Sequence, residues 1–330
     1  MSRSFTFSSS LLAREWRALL MAAAQFVVFA VVAVTATLVI DSWYRSVPLT
    51  QMDRRMIDFR NRAADIEVLV LGNSQMCFGV DPQYVGKHAF NLAAPSQDLY
   101  YDSRVIERFV DELPRLRTVF WGVAPFSFSY DIGRLPGERR REALYDRYFE
   151  RRGKRCNWRC WLERHFEMLR VRGDDPIASF LTLWRAPGKT DFRSKTPNAD
   201  GFMPRKPVKE RDDGLARARF HTKLFRKRIR AENYGYVVEA ISLLKERGVR
   251  VVFVRPPSAK SYRRGFPSSL LQGFERVMKR LQHDYGVEFV DLSDAVPFGK
   301  GYFRNSDHVQ GKGTVMFSNR LGQIHRRGRR

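Results

Sequence analysis

The chain has 330 residues, enough for one membrane-spanning segment and one globular domain with a substantial hydrophobic core. Hydrophobic residues make up 44% of it, which excludes a disordered chain. Its net charge of +24, from 59 Lys and Arg against 35 Asp and Glu, predicts attraction to polyanions such as nucleic acid, anionic lipid or acidic polysaccharide.

The N-terminal region contains an apolar segment, residues 18–40, whose length matches a transmembrane helix. A polar stretch, residues 1–17, precedes it and carries three arginines, which predicts that the N-terminus is cytoplasmic. A signal-peptide core is usually about 7–15 residues long, so we expect an uncleaved anchor. The remainder is then periplasmic, attached to a bacterial inner membrane, and that location argues against nucleic acid as a partner.

After a polar connector, residues 41–64, short apolar runs alternate with amphipathic patterns, which is typical of a parallel α/β sheet. Five strands are predicted, at residues 66–71, a brief run ending at Asn91, 116–123, 249–254 and 287–292. Helices are predicted at residues 97–112, 216–247, 268–285 and 313–323. The α/β domain therefore spans residues 65–324, followed by a basic tail, residues 325–330, that we expect to be disordered.

Within this domain the alternation is lost over residues 130–213, where Arg-rich and Pro-, Gly- and Lys-punctuated runs lie among aromatic segments. We interpret these residues as an insertion, part helical and part irregular. Such an insertion is either a lid or substrate-binding surface, or a variable addition without a role in function.

The first predicted strand ends in Gly72-Asn73-Ser74, so a serine hydroxyl lies at the carboxyl edge of the sheet, where open α/β sheets bind ligands. A serine attacks poorly unless a histidine accepts its proton. His308 follows the last predicted strand and lies next to Asp307, and loops after the first and last strands can meet at one edge. His88 is a distant second candidate, and the remaining histidines are predicted to be solvated (His165, His221, His283 and His325). The alternative is that Ser74 caps a helix and His308 satisfies a turn hydrogen bond.

Three stretches resemble, in their order and spacing, the sequence blocks of the SGNH (GDSL-like) esterase and acyltransferase superfamily: Gly72–Ser74, residues 91–97 and residues 307–313. The likeness is greatest to its membrane-anchored bacterial envelope members, the DltD-like and alginate-acetylation-like proteins. It covers residues 64–129 and 249–322. The resemblance implies a three-layer, flavodoxin-like α/β fold with a five-stranded parallel sheet, a nucleophile at Ser74, a base at His308, and no cofactor.

The chain departs from that family at the triad carboxylate, which usually lies three residues before the histidine. Asn305 occupies that position, and Asp307 is adjacent to His308. An adjacent residue cannot easily fold back onto its neighbour's Nδ1, so Asp307 is an imperfect replacement. Asn305 could accept the Nδ1–H instead, and a nearby acid such as Asp294, or a simple Ser–His dyad, could compensate.

The oxyanion hole also differs from the family pattern. The Ser74 N–H is one donor that the resemblance implies, but the second-block glycine is replaced within residues 94–96, and the third-block asparagine has no match within residues 121–124. Gly72 supports the turn, and Asn73 or Asn91 could contribute a side-chain amide.

Three cysteines are present. Cys156 and Cys160 are close enough in sequence to form a small disulfide loop in an oxidising periplasm, and the alternative is two unrelated thiols. No Cys or His cluster with zinc-ligand spacing accompanies them, so no metal site is predicted.

Two hypotheses of different classes follow. The leading one is a membrane-anchored envelope enzyme that hydrolyses or transfers an O-acyl group, chiefly O-acetyl, on a surface polysaccharide or similar carbohydrate. Its expected partners are the inner membrane, an anionic polysaccharide or carbohydrate ester, and an envelope acyltransferase or polysaccharide-assembly protein. The alternative is a catalytically inactive scaffold or binding subunit of an exopolysaccharide assembly or modification machine. A weaker third option is a basic protein that binds anionic lipid at the membrane surface.

Overall fold

The computed structural model describes residues 9–46, 51–149, 162, 166, 198–224 and 229–328. The chain divides into two compact units, residues 1–49 with 165–190, and residues 50–164 with 191–330. Helix α1 (Ser9–Ser46) forms most of the described part of the first unit, and the sheet lies in the second.

Helix α1 contains the predicted membrane segment. Within its residues 15–42, an 18-residue window has a mean hydropathy of 2.4, and none of that window is buried. The side chains of Phe26 and Phe29 are 71% and 70% exposed. By length and composition the helix is a candidate membrane span, although a signal sequence has the same properties.

The predicted connector is more ordered than expected. Helix α1 includes residues 41–46, and helix α2 (Gln51–Arg62) follows. Met52, Met56 and Phe59 recur at helical spacing and are buried in the main core. The N-terminal part of the second unit is therefore a packed helix and not only a polar connector.

The sheet has five parallel strands: β1 (Val68–Leu71), β2 (Ala89–Asn91), β3 (Thr118–Gly122), β4 (Arg250–Arg255) and β5 (Glu288–Asp291). Their order is β2-β1-β3-β4-β5, with Leu69 opposite Phe90 on one side and Val119 on the other. This is the flavodoxin-like order, so the predicted fold class is confirmed. Four of the five strands lie within the ranges that the sequence predicts, and β4 extends one residue beyond its range, to Arg255.

Helices cover both faces of this sheet. In chain order they are α3 (Ser74–Gly79), α4 (Leu99–Phe109), α5 (Arg139–Phe149), α6 (Gly214–Leu224), α7 (Ala231–Glu246), α8 (Lys260–Arg264), α9 (Ser268–Tyr285) and α10 (Lys312–Arg327). Between α9 and α10, strands β6 (Phe303–Asn305) and β7 (His308–Val309) form a two-stranded antiparallel hairpin. Because alternate strand residues point to opposite faces, Leu69 and Leu71 contribute to the core with α4, α7 and α9. Val68 and Val70 contribute to a second core with α3 and α10. The domain therefore has three layers.

Two helix predictions need correction. The helix expected over residues 216–247 is two helices, because Arg230 is extended (φ −99°, ψ 124°) and its N–H donates to the Phe128 carbonyl instead of continuing a helix. The basic tail is also shorter than expected, since α10 continues through Arg327. His325 is buried, with Nδ1 3.0 Å from Thr118 Oγ1, and so it is not a solvated tail residue.

Only the ends of the predicted insertion are described. The returning end, residues 198–213, contains no regular element but joins two parts of the domain. The Asn91 N–H donates to the Asp200 carbonyl, and the Gln310 side chain forms hydrogen bonds with both the N–H and the carbonyl of Val208. Cys156 and Cys160, and with them the predicted disulfide, lie outside the described residues.

Candidate active site

Ser74 lies on a tight turn between β1 and α3. Gly72 adopts a φ of +124°, and a Cβ there would come within 3.0 Å of the Gly122 carbonyl oxygen, so only glycine fits without strain. Asn73 caps α3, since its Oδ1 accepts the Gln75 N–H at 2.9 Å. The turn therefore presents a half-buried Ser74 as the first residue of a helix at the carboxyl edge of the sheet.

His308 is positioned by the β6–β7 hairpin, in which Asn305 pairs with His308 across the turn Ser306-Asp307. Ser306 is fully buried, and both its Oγ and its N–H donate to Asp213 Oδ1, at 2.9 and 3.2 Å. The Ser306 carbonyl accepts the Ala259 N–H at 2.7 Å. Three hydrogen bonds, to Asp213 and Ala259, thus hold the turn before the histidine in place.

The two loops meet. His308 Nε2 lies 2.9 Å from Ser74 Oγ, and His308 Nδ1 lies 2.8 Å from Asp307 Oδ1 and 3.0 Å from Asn305 Oδ1. Both oxygens next to Nδ1 are acceptors, so Nδ1 carries the ring proton. Nε2 is therefore unprotonated and can accept a hydrogen bond from the Ser74 hydroxyl. The hairpin turn allows Asp307 to reach the neighbouring ring, contrary to the expectation from adjacency in sequence.

Asp307 also forms an ion pair with Arg217 of α6. Its side chain is 2% exposed, and burial alone would raise the pKa of this carboxyl group. The His308 ring and the Arg217 guanidinium outweigh burial and lower the pKa of Asp307 below its usual range. Asp307 is therefore ionised, and Arg217 is a site residue that the sequence did not reveal.

His221, one helical turn after Arg217, is buried and not solvated as predicted. Its Nδ1 lies 2.6 Å from the Tyr262 hydroxyl. Burial lowers the pKa of His221 to about 4, and the positive charge of Arg217 adds to this effect. His221 is thus a neutral packing residue behind the Asp307–Arg217 pair.

Other candidate residues lie elsewhere or have other partners. Asp294 is 84% exposed and pairs with Arg263, so it does not compensate for Asn305. The backbone at His88 joins β1 at its amino end, because the His88 carbonyl accepts the N–H groups of Glu67 and Val68.

The Asn91 side chain is fully buried and structural. Its Nδ2 donates to the carbonyls of Met76 and Val80, at 3.0 and 2.7 Å, and its Oδ1 accepts the Ala93 N–H. Asn91 supports helix α3 but cannot donate to an oxyanion. The predicted oxyanion role of Asn91 is therefore wrong.

Ser96 lies within the stretch where the second-block glycine is replaced, and it has a φ of 61°. Among the described residues it is the one non-glycine residue with a left-handed backbone. The Tyr130 hydroxyl donates to the Ser96 carbonyl at 2.8 Å, and Arg141 Nη1 donates to Ser96 Oγ at 3.1 Å. These contacts, made by residues at the start of the insertion, hold the backbone in this conformation.

Beneath the Ser74 turn, three N–H donors converge on the buried carboxylate of Asp102. They are the Gly72 N–H at 3.0 Å, Gln97 Nε2 at 2.6 Å and Trp121 Nε1 at 2.9 Å. Burial raises the pKa of Asp102 to about 7, although the hydrogen bonds from Gln97 and Trp121 oppose this rise. Asp102 thus links the turn after β1 and the segment after β2 to strand β3. Asp102 was not among the predicted site residues, but one feature could have revealed it: it is an acidic residue on the apolar face of the helix predicted over residues 97–112.

A cleft of about 200 Å³ opens beside His308. Its walls include Phe78, Phe202, Arg205 and Arg304. The Arg205 guanidinium carbon lies over the Phe78 ring, 3.2 Å from its centre. Among the described residues no three His, Cys, Asp or Glu side chains are grouped so that they could hold a metal ion.

No family model and no curated protein matches the sequence. Solved structures with a similar arrangement include a GDSL-like lipase from Bacteroides thetaiotaomicron, at 10% identity and a TM-score of 0.41, covering 83% of this chain and 98% of the other. They also include a carbohydrate acetylesterase from Sinorhizobium meliloti, at 9% identity and a TM-score of 0.35, covering 79% of this chain and 99% of the other. At these identities and TM-scores, the activities of those proteins do not transfer to this chain.

Proposed function

We propose that the protein is a serine esterase or O-acyltransferase that acts on an O-acyl group, chiefly O-acetyl, of a cell-envelope polysaccharide or similar carbohydrate. The observation that carries this proposal is the 2.9 Å contact between Ser74 Oγ and His308 Nε2, with Asp307 behind the ring. A hydroxyl, a base and an orienting acid in this geometry can perform acyl transfer through a covalent intermediate.

In the proposed reaction, Ser74 Oγ attacks the ester carbonyl while His308 Nε2 takes the hydroxyl proton. The Ser74 N–H, which as the first in helix α3 has no intrahelical acceptor, donates to the developing oxyanion. His308 then returns the proton to the departing alkoxide, which leaves as an alcohol and leaves an acyl ester on Ser74. Water resolves this ester in hydrolysis, and a sugar hydroxyl resolves it in transfer.

Asp307 stabilises the imidazolium that forms during both steps. The Nδ1–H of His308 donates to its carboxylate, and Arg217 keeps that carboxylate ionised. Asn305 accepts from the same N–H and helps to fix the ring orientation, but it contributes no charge. In this proposal the acid adjacent to the histidine replaces the one expected three residues earlier.

We extend the proposal to a single-pass protein of the bacterial inner membrane with its α/β domain in the periplasm. An apolar, unburied α1 supports anchoring, and the +24 charge suits an anionic polysaccharide. An envelope acyltransferase or polysaccharide-assembly protein would be the partner that supplies or receives the acyl group.

The test is a burst assay of the full chain in detergent with p-nitrophenyl acetate, followed by intact-mass analysis. An acetyl adduct should form on the parent and be absent from Ser74→Ala and His308→Ala. Ser242→Ala and His283→Ala are matched controls, because both residues are exposed and away from the site. If all five proteins behave alike and none gains mass, the enzymatic proposal fails.

One observation supports the alternative that the protein is a catalytically inactive scaffold. In place of the third-block asparagine, residues 121–124 provide no side-chain amide at the edge of β3. An inactive protein would give no adduct in that assay and would still bind its polysaccharide after the Ser74→Ala change.

A further inference from the structure

The cleft beside His308 has a cationic lining that the proposed reaction does not use. Arg205 comes from the returning end of the insertion, and Arg304 from strand β6, three residues before Asp307. Both line the same cleft as His308 and Phe78. Any group bound there lies next to the proposed base.

Among the described residues, neither guanidinium has an acidic partner. The Arg205 guanidinium carbon lies over the Phe78 ring, and Arg304 Nη1 donates to the Lys206 carbonyl at 3.1 Å. Arg217, by contrast, is paired with Asp307. Within the part of the chain that the structure describes, no carboxylate therefore neutralises the two charges that line the cleft.

Of the described residues that line the cleft, one is acidic, Asp81, and its carboxylate already accepts two hydrogen bonds. Asp81 is 6% exposed, and its two oxygens accept the N–H of Gln83 at 3.2 Å and the Gln83 side-chain amide at 2.7 Å. It caps the short turn that follows and does not extend toward either arginine as an ion-pair partner.

The arginines also repel one another. Burial, together with the nearby charges of Arg304, Arg217 and Arg141, lowers the pKa of Arg205 to about 10, against an opposing contribution from Cys77. A bound anion would relieve this repulsion and use donors that are already in place.

We propose that this cleft binds an oxyanion carried by the carbohydrate, next to the acyl group that Ser74 attacks. This inference rests on the proposed function. The guanidinium group of arginine can donate two parallel hydrogen bonds to two oxygens of the same anion. This geometry suits a carboxylate, as in a uronic acid residue, and a phosphate ester. The aromatic rings of Phe78 and Phe202 offer apolar surface for the sugar ring. The small volume suits one charged sugar unit and not a drug-sized ligand.

The kinetic test compares two esters on the full chain in detergent: O-acetylated methyl glucuronide and O-acetylated methyl glucoside, which differ in one carboxylate. We expect Arg205→Gln and Arg304→Gln each to lower kcat/KM for the acidic ester by about 10- to 100-fold, because each removes a charged hydrogen bond. For the neutral ester kcat/KM should change by less than about twofold, as expected for loss of a group that binds only the anion.

The matched control is Arg280→Gln, which removes the same charge from an exposed arginine that pairs with Asp284. It should leave both rates unchanged. An equal loss in Arg280→Gln would show that only the overall charge matters and would overturn the proposal. Equal kcat/KM for the two esters in the parent would also overturn it.

A binding test separates this inference from the proposed function. The full-length Ser74→Ala protein would be titrated with methyl glucuronide, methyl glucoside and glucose 6-phosphate in a calorimeter. Binding of either anionic probe, lost in the Arg205→Gln background, supports the site and identifies carboxylate or phosphate. Equal binding of the neutral probe, or no binding of any, overturns it. If the parent cleaves no ester but still binds the anion, the enzymatic proposal fails and the anion site stands.

Discussion

Asp307→Asn tests the part of the site in which this chain departs most from expectation. The substitution keeps the size of the side chain next to His308 Nδ1 and removes its charge. It also leaves Arg217 without its ion-pair partner beside the ring. Asn305 Oδ1, 3.0 Å from Nδ1, can still accept a hydrogen bond from Nδ1–H and keep the ring in the required tautomer.

The expected loss follows from the missing charge. At an effective dielectric constant of about 20, opposite unit charges about 4 Å apart attract by about 4 kcal/mol, which corresponds to a factor of about 10³ in rate. In serine proteases the corresponding change, which also disturbs the tautomer, costs about 10⁴. Because Asn305 preserves the tautomer here, we expect kcat to fall by about 10²–10³.

A second substitution, Asn305→Asp, should restore part of the activity that Asp307→Asn loses. In the Asp307→Asn background it restores a carboxylate within reach of Nδ1, at the position where the resembled family has one. We expect at least about tenfold recovery of acetyl-adduct formation from p-nitrophenyl acetate, measured by rapid quench and intact mass. Thermal unfolding of each variant checks that the hairpin is retained.

Two results would refute this reasoning. Parent-like acetylation in Asp307→Asn would mean that the adjacent carboxylate does not serve His308. A large loss in Asn305→Ala, with Asp307→Asn unaffected, would assign the orienting role to the amide alone.

Three further outcomes are expected. Asp102 has a folded-state pKa of about 7, above its unfolded value of about 3.9, so the stability that it contributes is present below about pH 4 and is lost as the pH rises through about 7. In chemical denaturation from pH 4 to 8, the parent should therefore lose stability relative to Asp102→Asn as the pH rises, while His221 contributes the same pH dependence to both. Equal slopes in the two proteins would contradict the burial argument. Gly72→Ala should destabilise the domain by about 1–3 kcal/mol and reduce acetylation, because it combines a strained φ with a close Gly122 oxygen; a parent-like urea midpoint would contradict this. The full chain should stay with the membrane fraction in about 1 M salt, because apolar anchoring by α1 is not screened, whereas release by salt would indicate attachment by charge.

The sequence predicted the elements whose signals are local. Strands β1 and β4 are short Val- and Leu-rich runs that Gly72 and Pro256 follow, and α9 matches its predicted range, residues 268–285. The approach of His308 to Ser74 was also predictable, because in a parallel sheet both follow strands whose carboxyl ends share one edge.

The features that sequence missed depend on distant partners. Nothing near Arg230 marks a helix break, since its extended backbone is set by the Phe128 carbonyl about 100 residues earlier in the chain. Arg217 is one arginine among many until α6 packs beside the hairpin, and only then does it meet Asp307. His221 was predicted to be solvated for the same reason, because its burial also depends on how α6 packs.

Helix α10 has a practical consequence for how the chain can be handled. It begins four residues after His308 and, over 16 residues, extends about 24 Å toward the amino end of β3, where His325 contacts Thr118 and Arg250 binds the Ile324 carbonyl. A truncation or rigid fusion that unwinds its last turn would remove these contacts and loosen the helix that packs against α3 below Ser74. Affinity tags should therefore follow a flexible spacer placed after Gly328, and deletions that reach Ile324 should be avoided.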